Sequence, residues 1–140
     1  MTDHPLDRYA SAFETLKPDS LPALMALFAP DGRFVDPFND ARGRPAIEAV
    51  FRHMFASVAG PRFEVLHSVV DGPVGYLKWR FTGEVRGRAV DIRGLSEVTF
   101  DAAGLVTSHV DYWDAATNVY ERVPVLGWVL RRLRRRIAGG

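Results

Sequence analysis

Near residue 62 the hydrophobic period of this chain changes from helical to strand-like, and that change limits the folds open to it. Before it, apolar residues recur at intervals of three and four. The first set is Leu6, Tyr9, Ala10, Phe13 and Leu16, and the second is Leu21, Leu24, Met25 and Phe28. Ile47, Val50, Phe51, Met54, Phe55 and Val58 make the third. Such spacing puts each set on one face of a helix. It predicts helices over 4–16, about 20–28 and 44–58. Ser20 is the N-cap of the second, and proline opens the second and third at Pro22 and Pro45. Lys17 to Ser20, Ala29-Pro30-Asp31-Gly32 and Ala59-Gly60-Pro61 break the pattern. A short strand at 33–36 and a polar loop from Asn39 to Gly43 lie between the second and third helices.

Beyond residue 62 the pattern reads as strands: Phe63 to Val70, Val74 to Thr82, Arg88 to Phe100 and Leu105 to Trp113. The separators are Asp71-Gly72-Pro73, Gly83 to Gly87 and Asp101 to Gly104. They are too short for crossovers, so the strands should pair as an antiparallel meander. Arg86-Gly87-Arg88 reads as a hairpin turn, and Gly94 as a bend or bulge in the longest strand. A helical pattern returns after Asp114, which reads as its cap. Leu126, Leu130, Leu133 and Ile137 then mark one side of a final basic segment. Helices, then an antiparallel sheet, then a helical tail make an α+β chain. The helices are expected against the concave side of a strongly bent sheet, with a cavity between.

Charge narrows the partners. Residues 131–136 hold five arginines, whereas the first 130 residues carry 13 basic and 17 acidic side chains. A mildly acidic body with a basic tail is not the broad basic surface of a nucleic-acid-binding domain. The tail can be the solvated end of a helix, or an amphipathic element that docks on a membrane surface or a protein, with Trp128, Leu130 and Leu133 on its apolar side. With no cysteine there is no disulfide frame or thiol chemistry. His4, His53, His67 and His109 lack the spacing of metal ligands, and the glycines form no phosphate-binding loop, so neither metal nor cofactor is expected. No stretch approaches the roughly 18 apolar residues of a membrane span. Met1 to Arg8 has no signal-peptide character, which gives a cytoplasmic expectation, with peripheral membrane contact through the tail as its variant.

Two carboxylates stand out because they sit among large apolar neighbours. Asp36 lies in Phe34-Val35-Asp36-Pro37-Phe38, and Asp111 in His109-Val110-Asp111-Tyr112-Trp113. An acid in such a setting needs a partner or a proton. Strand alternation puts His109, Asp111 and Trp113 on one face, so the first two can share a proton network beside an aromatic wall. A bland reading stands beside each. Asp36-Pro37 also suits the start of a turn, His109 and Asp111 suit a satisfied polar pair, and Tyr9 suits a core tyrosine with its hydroxyl tied to a neighbour.

The chain resembles the NTF2-like superfamily, and within it the SnoaL-like branch that includes ketosteroid isomerases, polyketide cyclases and limonene epoxide hydrolases. The resemblance runs from residue 6 to about 120. It rests on Arg8-Tyr9, Leu27-Phe28-Ala29-Pro30-Asp31-Gly32, Phe34-Val35-Asp36-Pro37, Arg42-Gly43-Arg44 and Gly104 to Asp114. It implies a cone: a strongly curved mixed or antiparallel sheet wrapped around N-terminal helices. Here residues 1–122 would form that domain and 123–140 a basic amphipathic helical extension. It implies a homodimer through the outer sheet face and a small hydrophobic ligand. By the same resemblance Asp36 matches the general base of ketosteroid isomerases and Tyr9 the donor to the enolate, a mechanism long worked out for that enzyme. Ser96 stands where that family has a neutral aspartic acid as second oxyanion donor. Asp111 matches the acid/base aspartate of the cyclases and one aspartate of the epoxide hydrolases. Arg80-Phe81-Thr82 is the segment nearest the Arg-x-Asp pair of those hydrolases, and it lacks the second acid. The implied activity is cofactor-independent isomerisation or cyclisation of a small hydrophobic carbonyl compound. Asp36, Tyr9, Asp111 and His109 would be catalytic, and Ser96, Trp113, Phe34, Phe55 and Trp79 would line the pocket. Non-catalytic binding of a hydrophobic ligand and epoxide hydrolysis are the alternatives.

Overall fold

A computed structural model describes residues 4–115. Three helices precede most of a six-stranded sheet. Helix α1 spans Pro5–Glu14, α2 Leu21–Met25 and α3 Arg44–Ser57. His4 caps α1, its Nδ1 accepting from the Leu6 amide at 3.1 Å. The second helix is shorter than its periodicity predicts. A 3₁₀ turn over Pro18–Ser20 takes its start, and Ser20 Oγ bonds back to the Lys17 amide and carbonyl rather than capping α2.

The strands are β1 Phe28–Val35, β2 Asp40–Arg42, β3 Ala59–Asp71, β4 Val74–Val85, β5 Arg88–Phe100 and β6 Val106–Tyr112. The meander of β3 to β6 is antiparallel as its short turns require. Arg86 and Gly87, both at positive φ (53° and 78°), make the two-residue turn between β4 and β5. Sequence reading fails at Ala29 to Gly32, which looks like a turn but lies inside β1. The β1–β6 register shifts between Phe28 and Arg33, so the Pro-Asp-Gly segment is absorbed as an irregularity in the strand. A Cβ at Gly32 would stand 2.9 Å from the Val106 carbonyl oxygen, which is why glycine occupies this close approach. The loop at 39–43 likewise contains β2, held by Phe34 opposite Ala41 and by an Arg33–Asp40 ion pair at 2.7 Å.

The strand order is β2-β1-β6-β5-β4-β3, with β1 parallel to β6 and every other pair antiparallel. The expectation of a strongly curved cone is corrected. The sheet is mixed and wraps around helices, but it is open, ending on β2 and β3, and is neither strongly curved nor closed. Strands β4 and β5 pair from Val74↔Thr99 to Val85↔Arg88 without a shift, so no bulge bends that long ladder. Gly94 is therefore not a bulge. The Trp79 ring lies across it, and a Cβ there would fall 2.4 Å from Trp79 Cζ2.

The helices cover one face of the sheet. Leu6, Phe13, Leu24, Ile47 and Phe51 from the helices meet Phe28, Phe34, Leu77, Trp79 and Val98 from the strands. The basic helical extension expected over 123–140 lies outside the described residues. Among the described residues no helix is long and apolar enough to cross a membrane.

Candidate functional site

At the centre of the sheet two chains of hydrogen bonds meet on one carboxylate. The first starts on α1. Tyr9 Oη lies 2.6 Å from His109 Nδ1, and His109 Nε2 lies 2.6 Å from Asp111 Oδ1. The second starts on β4. Trp79 Nε1 donates to Ser96 Oγ at 2.8 Å, and Ser96 Oγ donates to the same Asp111 Oδ1. Strand register builds this. Ser96 is directly opposite Asp111, Val98 opposite His109, and Trp79 opposite Gly94, two residues before Ser96 on β5. His109 and Asp111 reach each other because residues two apart on a strand share a face.

The donors and acceptors follow from chemistry. Indole N–H can only donate and an ionised carboxylate can only accept. Ser96 Oγ accepts from Trp79, so its own proton goes to Asp111. His109 gives its Nε2 proton to Asp111, which leaves Nδ1 to accept the Tyr9 hydroxyl. Every buried polar side chain in the two chains is satisfied, as burial demands. Tyr9 is 1 % exposed, Ser96 2 % and His109 3 %. The Asp111 side chain retains 14 % exposure, and its Oδ2 has no hydrogen-bond partner among the described residues.

Aromatic rings enclose the imidazole. Its centroid lies 4.7 Å from that of Phe34, 5.6 Å from Tyr9 and 5.8 Å from Phe13. Burial first, and the nearby Asp111 charge second, push the Tyr9 phenol well above its ordinary value of 10.0. Tyr9 therefore stays protonated, and its proton is directed at His109. The cluster is apolar apart from these relayed groups, a lining suited to a small hydrophobic ligand.

The remaining expected site residues fall in different places. Asp36 is one residue past the last parallel pair, Val35↔Val110, on the neighbouring strand to Asp111. Its Oδ1 accepts from the Phe38 and Asn39 amides at 2.8 and 2.7 Å, and the Asn39 side-chain amide reaches both oxygens. The Asp-Pro turn is thus formed, with Asp36 half-buried at its start. Phe34 lies against His109, and Trp79 and Ser96 form the second chain. Trp113 is half-buried just past β6, with its ring 5.5 Å from the Phe38 ring in an edge-to-face contact. Phe55 is half-buried on α3, packed on the core. Arg80 faces the other side of β4, where it pairs with Asp91 at 2.7 Å, and so stands apart from Asp111. Two open grooves, of about 550 and 620 Å³, lie toward the Gly60 end of the sheet. Gly60 and Arg80 are among the residues lining the first, Phe13, Lys17 and Phe63 among those lining the second, and none of the relay residues lines either. The link from Trp79 through Ser96 to Asp111 was not legible in the sequence, although both residues were expected near the site. Only strand register joins them.

The comparisons with known proteins agree with this architecture. Residues 6–109 match the SnoaL-like domain family, so the chain belongs to that family and to the NTF2-like superfamily. No curated protein is significantly similar to it. Among solved structures, it is similar to a hypothetical protein with a ketosteroid isomerase-like fold from Catenulispora acidiphila, in complex with trimethylamine. Identity is 20 %, the TM-score 0.72, and the match covers 85 % of this chain and 92 % of that one. An NTF2-like protein from Burkholderia thailandensis is 21 % identical, with a TM-score of 0.71 over 81 % and 92 % of the two chains. A proposed SnoaL-like polyketide cyclase from Shewanella putrefaciens is 18 % identical, with a TM-score of 0.68 over 81 % and 89 %. At such identities the likeness is one of fold. The fold and family are shared with enzymes of the isomerase and cyclase type.

Proposed function

We propose that this protein is a cofactor-independent acid/base enzyme of the isomerase or cyclase type, acting on a small hydrophobic carbonyl compound. The observation that carries the reading is the asymmetry of Asp111: Oδ1 receives two donors, and Oδ2 receives none among the described residues. A carboxylate anchored by one oxygen and open at the other is poised to take and return a proton. The substrate C–H bond next to the carbonyl breaks, its electron pair moves into the enolate, and its proton passes to Oδ2. Return to a different carbon gives isomerisation; attack of the enolate on a second carbonyl breaks that C=O π bond, and its oxygen takes the proton back from Asp111, which gives cyclisation. His109 and Ser96 hold the carboxylate, and Asp36, at the end of the adjacent strand, lies nearby with both oxygens held in its own turn. Tyr9 supports the base through His109, since its proton already has an acceptor. Leu95 and Tyr112, opposite each other and exposed on the outer face, support a homodimer through that face.

The test is deuterium exchange at the α-carbon of a panel of cyclic enones and polyketide-like ketones. Asp111→Asn should lower exchange by roughly 10²- to 10⁴-fold, the usual range for a general base, and Asp36→Asn by less. Absence of exchange above buffer for every compound, or equal rates for wild type and both variants, would leave the protein a hydrophobic-ligand binder.

A further inference from the structure

We propose that Trp79 and Ser96 form a positioning arm that fixes the orientation of Asp111, with Gly94 as the seat that makes the arm possible. The inference rests on the reading of Asp111 as the reacting carboxylate. It extends that reading to residues that never touch substrate.

The arm has three parts, each with a separate physical cause. Gly94 carries no side chain, so the Trp79 indole from the paired strand lies across β5. The nearest indole atoms, Cζ2 and Cη2, come within 2.4 and 2.5 Å of where a Cβ would stand. In that position Nε1 reaches Ser96, two residues along β5, at 2.8 Å. Indole has a proton and no lone pair to offer, so the serine hydroxyl accepts it and turns its own proton away toward Asp111. A serine alone can rotate among three staggered positions. With the indole bound, one of them points its proton at Oδ1.

The approach of Ser96 to Asp111 comes from a single irregularity. Phe100 faces Val106, but Thr99 faces Ser108, which leaves Thr107 as an extra residue on β6. Without that shift the ladder would set Ser96 opposite Val110. The bulge therefore brings the hydroxyl to the acid, and the arm then holds Oδ1 alongside His109. An unheld carboxylate would be free to swing about χ1 among its staggered positions, away from the imidazole. Held by two donors on one oxygen, Asp111 keeps Oδ2 as the outward base.

A substrate-free measurement decides whether the arm exists. Three-bond couplings from the Asp111 side-chain carboxyl carbon to its backbone nitrogen and carbonyl carbon report the χ1 rotamer. Wild type should show one rotamer. Ser96→Ala should show averaging, with the rest of the spectrum unchanged. Trp79→Phe, which keeps the hydroxyl but removes its director, should show partial averaging. A single rotamer in Ser96→Ala would overturn the proposal.

The kinetic consequence is read in the exchange assay. Ser96→Ala should lower the turnover rate roughly 10- to 100-fold, the scale of a misplaced reacting group, with KM within about twofold. Adding Trp79→Phe to Ser96→Ala should cost no further rate, because the two act as one unit. Independent, multiplying rate losses, or averaging of Asp111 with an unchanged rate, would overturn the positioning role. If wild type exchanges nothing, the enzymatic reading falls, while the couplings still show whether Ser96 holds Asp111 in one rotamer.

Discussion

Replacing Tyr9 by phenylalanine removes one oxygen from the most enclosed part of the site and changes little else. The ring contacts with Phe13, Phe28 and Phe100, at 5.0, 5.7 and 6.2 Å, survive the change. What is lost is the hydrogen bond to His109 Nδ1, and the imidazole nitrogen then faces an apolar wall without a donor. A buried hydrogen bond contributes about 1 kcal/mol, and an acceptor left unsatisfied costs about 1–3 kcal/mol. The expected loss is therefore about 2 kcal/mol. For a chain of this length it lowers Tm by about 7 °C. The effect also has a pH signature. Tyr9 holds its proton well above 10.0 in the folded state, whereas the unfolded chain releases it near pH 10. A raised folded value contributes stability that is complete below pH 10 and is lost as pH rises through the folded value. Phenylalanine has no such proton. The gap between the two proteins should be full at pH 7 and shrink above pH 10. Urea unfolding at pH 7 and pH 10.5, read by circular dichroism, measures it. A variant as stable as wild type at pH 7, or a gap that widens with pH, would refute the reasoning.

Two further substitutions probe the packing that holds the site. Gly94→Ala should lower stability by roughly 1–3 kcal/mol, the cost of overpacking a filled site, because its methyl would meet the Trp79 ring. Combined with Trp79→Phe, the loss measured by urea midpoint should fall well short of the sum of the two, and strict additivity would contradict the contact. At the start of α1, His4→Ala should cost about 1 kcal/mol through loss of the cap. His4→Asn, which keeps an acceptor but not the ring on Phe100, should fall between it and wild type in a thermal melt.

Where a physical pattern is local, the sequence carries it. The spacing of Leu6, Tyr9 and Phe13 places α1 and its buried face, and all three side chains are buried. Arg86-Gly87 makes a turn because its backbone angles favour glycine. Alternation on β6 puts His109 and Asp111 on one face, and they bond there. Asp36-Pro37 was legible both as a turn and as a base, because local chemistry licenses both. In the fold the turn forms and occupies both carboxylate oxygens. Gly94 looked like a bulge because the strand pattern cannot show which ring will lie across it.

The amino-acid sequence by itself determined three helices before an antiparallel meander, the face each helix buries, and the polar pair that shares one side of β6. Tertiary structure decided that the sheet stays open, that Ala29 to Gly32 continues a strand, and that Ser96 rather than its neighbours meets Asp111. The physical reason is range. Helix faces and tight turns are set by residues a few positions apart, whereas strand register is set by pairing across the sheet. There one extra residue, Thr107, decides which side chain stands opposite which.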